Sequence, residues 1–449
     1  MSEDIYTDVC VIGGGPAGAC CALKLAKYGH KVHLIESEKF PRQHIGESLT
    51  AGIIPLLKQL DILHPVEAAG FYRPEATFLH WGKINGDTPH PIDKGGFQVD
   101  RGVFDQLLLE QASSAGVNIL QPALAEHPIE TEKGWHIQAK YARQKKNIFA
   151  KKIVIASGKK TLLPSHRKRL SPPTLAIYAY WEKTAINGIE SRVEAFDNGW
   201  LWGAPLPNGL FNIALFTNPD SSAFSSCEEI KYYYLQRISQ SRLLSESLKG
   251  RRKGKLHICD ASSYVVESPA NNNCFFIGDA ALRIDPLSSQ GVQLSIKTAI
   301  LAAIALHTQF ATPHESKASI QFYTQKVHNM AHQHQAITER FYSEHGQQHS
   351  NRFWSRRMPA LTKTTTAINT PHPPAAQNTY SPRSTPLKLA DKAKLIIWPV
   401  LIGDKMKNLK ALQCPGFERP VAFLQNIEIA PLIQFIENKN RTSREIIIE

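Results

Sequence analysis

The chain has few cysteines, seven in 449 residues, at Cys10, Cys20, Cys21, Cys227, Cys259, Cys274 and Cys414. Their number is odd and their spacing fits neither a metal site nor a disulfide framework, which excludes a cysteine-stapled scaffold and points to a reducing, cytoplasmic compartment. No apolar run approaches the ~18 residues that span a bilayer. The acidic start Met1-Ser2-Glu3-Asp4 passes directly into a β-forming segment, so neither a signal peptide nor a transit peptide is expected. There is no internal repeat. The formal charge is +13, but the basic runs Arg143 to Lys152 and Lys249 to Lys255 lack interleaved aromatics beyond Phe149, which argues against a nucleic-acid groove and for a solvated surface or an acidic partner. With 42% hydrophobic and 20% charged residues, the length suits a globular protein of two or three domain-sized units with an enclosed pocket.

What is present begins at the first apolar run. Val9-Cys10-Val11-Ile12 leads into Gly13-x-Gly15-x-x-Gly18, and a second run, Val32-His33-Leu34-Ile35, ends at Glu36. This spacing predicts a strand, a glycine turn that lets the backbone approach a pyrophosphate, and a helix starting near Pro16 with its amides facing that anion. Ala22, four residues after the third glycine, lets helix and sheet pack closely. Glu36 falls where a carboxylate accepts hydrogen bonds from ribose hydroxyls, favouring a ribose without a 2′-phosphate.

Further along, a loop at 39–48 precedes an amphipathic helix over Leu49 to Leu60, and a β-forming stretch runs from Ala76 to Gly82. A helix is predicted over Val103 to Ala115 and a strand over Asn147 to Ala156. From about Pro172 to His257 short β segments dominate, with one helix near Cys227 to Ser241. Cys274-Phe275-Phe276-Ile277 reads as the last buried strand, followed by helices at Gly291 to Leu306 and Glu315 to Phe341. Between Gln347 and Ala390 the composition predicts a mobile Pro/Thr-rich loop before a short α-rich end. His328-x-x-x-His332, with His334 nearby, could share a helical face, but no carboxylate or cysteine partner is placed by sequence, so a polar helix face rather than a metal site is expected.

The second chemical signal is Gly278-Asp279, then Asp285-Pro286, then Ser288-Ser289-Gln290-Gly291-Val292. An aspartate at a strand end can bind a ribityl hydroxyl, and a helix starting at Gly291 turns its amides toward an anionic ring. Taken with the opening motif, this pattern resembles the flavoprotein monooxygenase superfamily of the para-hydroxybenzoate hydroxylase fold. The resemblance implies FAD, with its adenosine half at Gly13, Gly15, Ala17, Gly18 and Glu36 and its ribityl and flavin half at Asp279, Pro286, Gly291 and Val292. Phe40-Pro41-Arg42-x-x-Ile45-Gly46-Glu47-Ser48-Leu49 and Trp200-Leu201-Trp202-Gly203-Ala204-Pro205 resemble the flavin-dependent tryptophan halogenase branch, except that Ala204 replaces the isoleucine of its W-x-W-x-I-P pattern. Val99-Asp100-Arg101-x-x-Phe104-Asp105 is similar to the segment that sets an arginine near the FAD phosphates. These matches imply cofactor contacts from Arg42, Ser48 and Arg101, places for Glu47 and Gln290 around the isoalloxazine, and substrate-side places for Trp200 and Trp202.

The departures bear on the chemistry. Counting back from Phe78-x-x-Trp81, the position of the halogenase lysine holds Arg73, a poor proton donor at neutral pH. Ser288 follows Pro286-Leu287 where tryptophan halogenases carry a glutamate, and Gln290-Gly291 resembles the GQG of aromatic hydroxylases. A further branch resembles this pattern: the flavoproteins that mature tryptophylquinone cofactors by oxygenating a tryptophan inside a partner amine oxidase or dehydrogenase. The expectation is an FAD-dependent monooxygenase acting on an aromatic ring, most directly a protein-bound tryptophan. Halogenation of an indole or another small aromatic, and a non-catalytic flavin-binding scaffold, are the alternatives. No second GxGxxG serves a nicotinamide, and Ala156-Ser157-Gly158 has serine where single-component hydroxylases carry a DG pair. The electron donor is then NAD(P)H acting directly or a separate flavin reductase. The expected fold is α/β. Residues 1–72, 97–170 and 258–310 make a Rossmann-like FAD domain, residues 73–96 and 171–257 an inserted β-sheet substrate domain, and residues 311–449 a C-terminal helical region whose mobile loop spans about 347–390.

Overall fold

The computed structural model describes residues 4–93, 95–142, 144–160, 162–219, 226–347, 351–358, 392–415, 419–424 and 427–439. It divides into two compact units, Met1–Ile304 with Tyr323–Pro359, and Ala305–Phe322 with Ala360–Glu449.

In the first unit, β1 (Ile5–Ile12), α1 (Pro16–Lys27), β2 (Val32–Ile35), α2 (Arg101–Ser114) and β3 (Gln144–Ile155) build the nucleotide layer. β1 lies between β2 and β3, parallel to both, which is why its second half, Val9 to Ile12, is apolar on both faces and buried throughout. The register sets Ile12 opposite both Ile35 and Ile155, and Phe276 of the parallel strand Cys274–Phe276 opposite Ile155. Four carboxyl ends are therefore level. The residues that follow them, Gly13, Glu36, Ala156 and the Ile277-Gly278 step, emerge along one edge, the position at which such sheets bind ligands.

A seven-stranded sheet stands beside this layer in the same unit. Its order is Arg251–Asp260, Leu175–Glu182, Leu210–Thr217, Gly199–Pro205, Ser191–Phe196, Ala76–Trp81 and Ile84–Pro91, all antiparallel except the Ser191–Phe196/Ala76–Trp81 pair. The period of two divides its side chains. Ala176, Trp200, Trp202, Ala204, Ala214 and Phe216 share one core, while Ile177, Ala179, Trp181, Leu201, Ile213 and Leu215 share another with Tyr233, Tyr234 and Ile238 of the helix Cys227–Ser239. The strand Arg251–Asp260 runs through the domain boundary expected at residue 257.

Two long helices follow, α3 (Gly291–Ala311) and α4 (Ser316–Gly346). Among the described residues, α3 alone is long and apolar enough to cross a membrane by length and composition, although the sequence showed no continuous apolar run. Its apolar residues are interrupted by Gln293, Ser295, Lys297 and Thr298, and two thirds of the apolar window, 67%, is buried inside the protein, as in a core helix.

Three expectations are corrected. The helix expected from Leu49 begins only at Ile53, because Ser48–Leu49 is a short strand pairing with Phe97–Gln98. Within the loop expected at 347–390, residues 352–355 form a helical turn whose Phe353 and Trp354 are fully buried, since two large aromatics in a polar segment still seek a core; 359–390 lie outside the described residues. The helical expectation for the C-terminal region holds for α4, but Lys394–Ile402 and Lys405–Gln413 form an antiparallel hairpin. The run Lys-Leu-Ile-Ile-Trp-Pro-Val-Leu-Ile is rich in β-branched and aromatic residues, and that propensity prevails there.

Candidate active site

The glycine turn is fixed by contact as well as by torsion. Gly13 has φ 108°, and a methyl there would lie 2.4 Å from the Ala156 carbonyl oxygen; a methyl at Gly18 would lie 1.8 Å from that of Gly13. Gly15 differs, because its nearest prospective neighbour is Nη2 of Arg42 at 3.5 Å, so it faces open space at the N-terminus of α1. Ala17 is buried against Gly278, where an added methyl would approach the Ala17 Cβ to 2.8 Å. Glu36 is buried at the end of β2, its Oε2 accepting from the Gly14 amide at 2.6 Å and its Oε1 from the Glu38 amide at 2.7 Å. Arg42 packs over the Phe40 ring at 4.8 Å, with its Nε 3.5 Å from Glu38 and its Nη2 3.7 Å from Asp105, long ion pairs that leave the buried Nε without a hydrogen bond. An open glycine and a loosely paired guanidinium at a helix N-terminus fit a dinucleotide pyrophosphate.

Arg101 forms an internal pair. Its Nε and Nη2 fork onto Asp105 at 2.9 and 3.0 Å, and Nη1 donates to the Ile45 carbonyl at 2.7 Å. With its donors taken up this way, the buried arginine anchors the 40–48 loop to α2. The i,i+4 spacing of Arg101 and Asp105 signals this pair in the sequence.

Glu47, 1% exposed, ends that loop. Its Oε1 accepts from the Tyr180 hydroxyl and from Asn212 Nδ2, each at 2.9 Å, and its Oε2 from the Gly46 amide at 2.8 Å. Burial raises its carboxyl above the ordinary carboxylate range, with the Tyr180 and Gly46 hydrogen bonds pulling back. Burial and the adjoining Glu47 likewise push the Tyr180 hydroxyl up. A cavity of ≈ 210 Å³ opens beside them, lined by Arg42, Glu47, Asp100, Arg101, Tyr180 and Asn208 among others. Ser48 donates to Gln98 Oε1 at 2.6 Å.

The loop also lies on the start of α3. A methyl at Gly46 would meet Arg101 Nη1 at 3.0 Å and the Val292 side chain at 3.8 Å. Gly291 opens the helix with no atom within 4 Å of a prospective methyl, leaving an open approach to the N-terminus for a flat ring. Asp279 is half-buried beside Arg283, 3.5 Å away, and desolvation raises its carboxyl. Asp285 is buried and caps the following turn through the Leu287 amide at 3.1 Å, and it accepts from the Tyr342 hydroxyl. Pro286 and Gln290 flank that turn, half-buried, and Ser288 Oγ donates to the Asp285 carbonyl at 3.3 Å.

The proposed substrate-side residues are not drawn into this cluster. Arg73 is exposed, pairs with Glu67 at 2.7 Å and lies over the Phe97 ring at 4.4 Å. Trp200, 2% exposed, stacks on Phe216 with centroids 3.9 Å apart, and Trp202 is buried in the same core, so packing accounts for both tryptophans where a substrate wall was expected. His328 Nε2 lies 3.1 Å from the Val266 carbonyl. Among the described residues no group of three or more His, Cys, Asp or Glu side chains could hold a metal ion. Sequence reasoning missed Tyr180, Asn212 and Tyr342. The alternation in Leu-Ala-Ile-Tyr-Ala-Tyr-Trp-Glu signals that Tyr178 and Tyr180 share a face, but nothing local signals that Glu47 meets them.

Comparison with known proteins agrees with this architecture. The profile of the tryptophan halogenase family matches residues 94–370, and that of the pyridine nucleotide-disulphide oxidoreductases matches residues 7–172. The chain is 29% identical over 345 residues to a tryptophan 2-halogenase of Chondromyces crocatus, a match that spans 71% of this chain and 64% of that protein. The structure of the myxobacterial chondrochloren halogenase CndH aligns with TM-score 0.72 at 26% identity, covering 80% of this chain and 87% of that one. The peptidyl tryptophan dihydroxylase QhpG, described as essential for tryptophylquinone cofactor biogenesis, shares the fold with TM-score 0.76 at 20% identity over 97% of this chain and 93% of its own.

Proposed function

Because the chain belongs to the tryptophan halogenase family, whose members are flavin-dependent oxidoreductases, and has FAD as its cofactor, we propose that it is a monooxygenase that hydroxylates an aromatic ring, a tryptophan within a partner protein. The observation that carries this reading is the Ser288 turn. Where tryptophan halogenases carry a glutamate, the Ser288 hydroxyl is turned back onto the Asp285 carbonyl, so no acid stands there. Arg73, at the position of the halogenase lysine, is a charged group spent on Glu67. The end-to-end fold likeness to the peptidyl tryptophan dihydroxylase supports the architecture, including the region after α3.

When bound, FAD supplies the reducing electrons and the site of dioxygen activation. The protein contributes orientation and shielding. The amides at the start of α1 and the Arg42 guanidinium would hold the pyrophosphate, Glu36 the adenosine ribose, and Asp279 the ribityl chain. The N-terminus of α3 at Gly291 would stabilise negative charge developed on the flavin. Glu47, fixed by Tyr180, Asn212 and Gly46, holds the 40–48 loop over that end and excludes water. The electrons would come from a separate flavin reductase, as flavin-dependent halogenases typically need, or from NAD(P)H acting directly.

Halogenation of a free indole is the second reading, favoured by the family match and the relatives named above. One incubation separates the two: protein with a flavin reductase, reduced nicotinamide, FAD, bromide, chloride and free tryptophan or indole. The proposal expects no halogenated product. Bromoindole or bromotryptophan formed with turnover overturns it.

A further inference from the structure

Three buried polar side chains from distant parts of the first unit, Trp200, Tyr342 and Asp285, form a hydrogen-bonded chain that ends on the carboxylate. The Tyr342 hydroxyl of α4 lies 2.9 and 3.0 Å from the two oxygens of Asp285, and Trp200 Nε1 donates to the same hydroxyl at 3.3 Å. Their exposures are 1%, 4% and 2%, so all three are buried, and Asp285 and Tyr342 border a small cavity of ≈ 70 Å³. Asp285 begins the turn that ends at Gly291: its side chain receives the Leu287 amide, Pro286 follows, and Ser289 takes a left-handed φ of 50° before α3 starts. A turn with a non-glycine residue in that region holds its shape only when its surroundings fix it.

We infer that Tyr342 is a positioning residue for the flavin end of the cofactor site. By clamping Asp285 it fixes the turn that aims the first amides of α3, and Trp200 clamps Tyr342 in turn. The tryptophan that the sequence placed on the substrate side thus acts through a hydrogen bond, two contacts removed from the cofactor. Arg357, 3% exposed, supports the arrangement from behind: its guanidinium lies 5.9 Å from the Tyr342 ring centroid and donates to neutral acceptors, Asn218 Oδ1 at 2.9 Å and the Pro173 carbonyl at 2.8 Å. Asp285 is hydrogen-bonded by neutral donors, the Leu287 amide and the Tyr342 hydroxyl, while the Arg357 charge acts on it from a distance. The adenosine half of the site, from Gly13 to Glu36, has no part in this network and is held by its own backbone contacts. Loss of the Tyr342 hydroxyl is felt at one end of the cofactor only.

The inference rests on FAD binding with its flavin end at Gly291. The test compares FAD with ADP, which occupies the adenosine half alone, by titration of the FAD-depleted full chain. Tyr342→Phe should weaken FAD binding about tenfold, the size expected for one lost hydrogen bond to a charged group, and leave ADP binding unchanged. Trp200→Phe, which keeps the ring and removes the N–H, should weaken FAD about threefold and again spare ADP. Unchanged FAD affinity in Tyr342→Phe, or parallel loss of FAD and ADP, overturns the inference. If Tyr342→Phe fails to fold, Trp200→Phe decides by the same two ligands, and equal effects on both overturn it. A wild-type chain that binds ADP but not FAD refutes the cofactor placement instead.

Discussion

The two ends of the proposed cofactor site are built in opposite ways. At the adenosine end, Gly13, Gly15, Gly18 and Glu36 fall within 24 consecutive residues, and at Gly13 and Gly18 the backbone contacts are so close that a single methyl has nowhere to go. At the flavin end the groups come from far apart: Glu47 meets Tyr180 and Asn212 across 133 and 165 residues, and Asp285 meets Tyr342 across 57. The first end is a local motif that any chain of this fold can carry. The second depends on side chains from the sheet and from α4, and there differences in chemistry among relatives can arise without disturbing the nucleotide layer.

The largest expected effect lies at the local end. Gly18→Ala drives a methyl into the Gly13 carbonyl, and overpacking at a backbone contact costs about 3 kcal/mol or more, so FAD affinity measured by flavin fluorescence should fall by about a hundredfold. Gly291→Ala is the counterpart at the other end: its methyl meets nothing, so the melting temperature should stay put while FAD binding weakens selectively. A large loss of stability in Gly291→Ala would break the contrast.

Next in size is Glu47→Ala. It strands the Tyr180 hydroxyl and the Asn212 amide in a buried setting, for an expected destabilisation of about 2–4 kcal/mol by urea unfolding. Glu47→Gln refines the same point through pH. Because burial raises this carboxyl above its usual 4.5, its stabilising contribution is greatest below that value, where the group is protonated in both states. The contribution is lost as pH rises through the raised folded value. The wild type should therefore lose stability relative to Glu47→Gln as pH rises above the ordinary carboxylate range, and parallel pH profiles would contradict the assignment. The smallest effect is at Arg73. It is exposed and paired on the surface, so Arg73→Ala should change unfolding free energy by less than about 1 kcal/mol.

The same contrast explains what the sequence made legible. The strand, glycine turn, helix and second strand at 5–36 are read directly, because their spacing follows from backbone geometry, and the Gly278-Asp279 and Gly291 signals mark the opposite end for the same reason. The α/β fold with a second β sheet follows from strand and helix periodicity. Arg101 is expected near the FAD phosphates, and the structure adds a fork onto Asp105 four residues on, a pair the motif reading left aside, while the side chain also lines the cavity beside Glu47. For Trp200 and Trp202 the sequence leaves pocket wall and core filling open, because an aromatic strand next to a cofactor looks alike whether it lines a pocket or fills a core. Only the positions of Phe216, Tyr342 and Trp354 decide between the two, and those lie elsewhere in the chain. The hairpin at 394–413 is missed because the low-complexity stretch before it masks the β propensity of its first strand.

The central claim is oxygen transfer to a protein-held tryptophan. It is tested most directly by peptide mass spectrometry of a co-expressed candidate amine oxidase or dehydrogenase subunit, incubated with the protein, a flavin reductase and isotopically labelled dioxygen in the presence of bromide. The account predicts one or two labelled oxygen atoms on a single tryptophan, dependent on the protein and absent in a Gly18→Ala control. Bromine on that residue or on free indole, with no labelled oxygen incorporated, would contradict it.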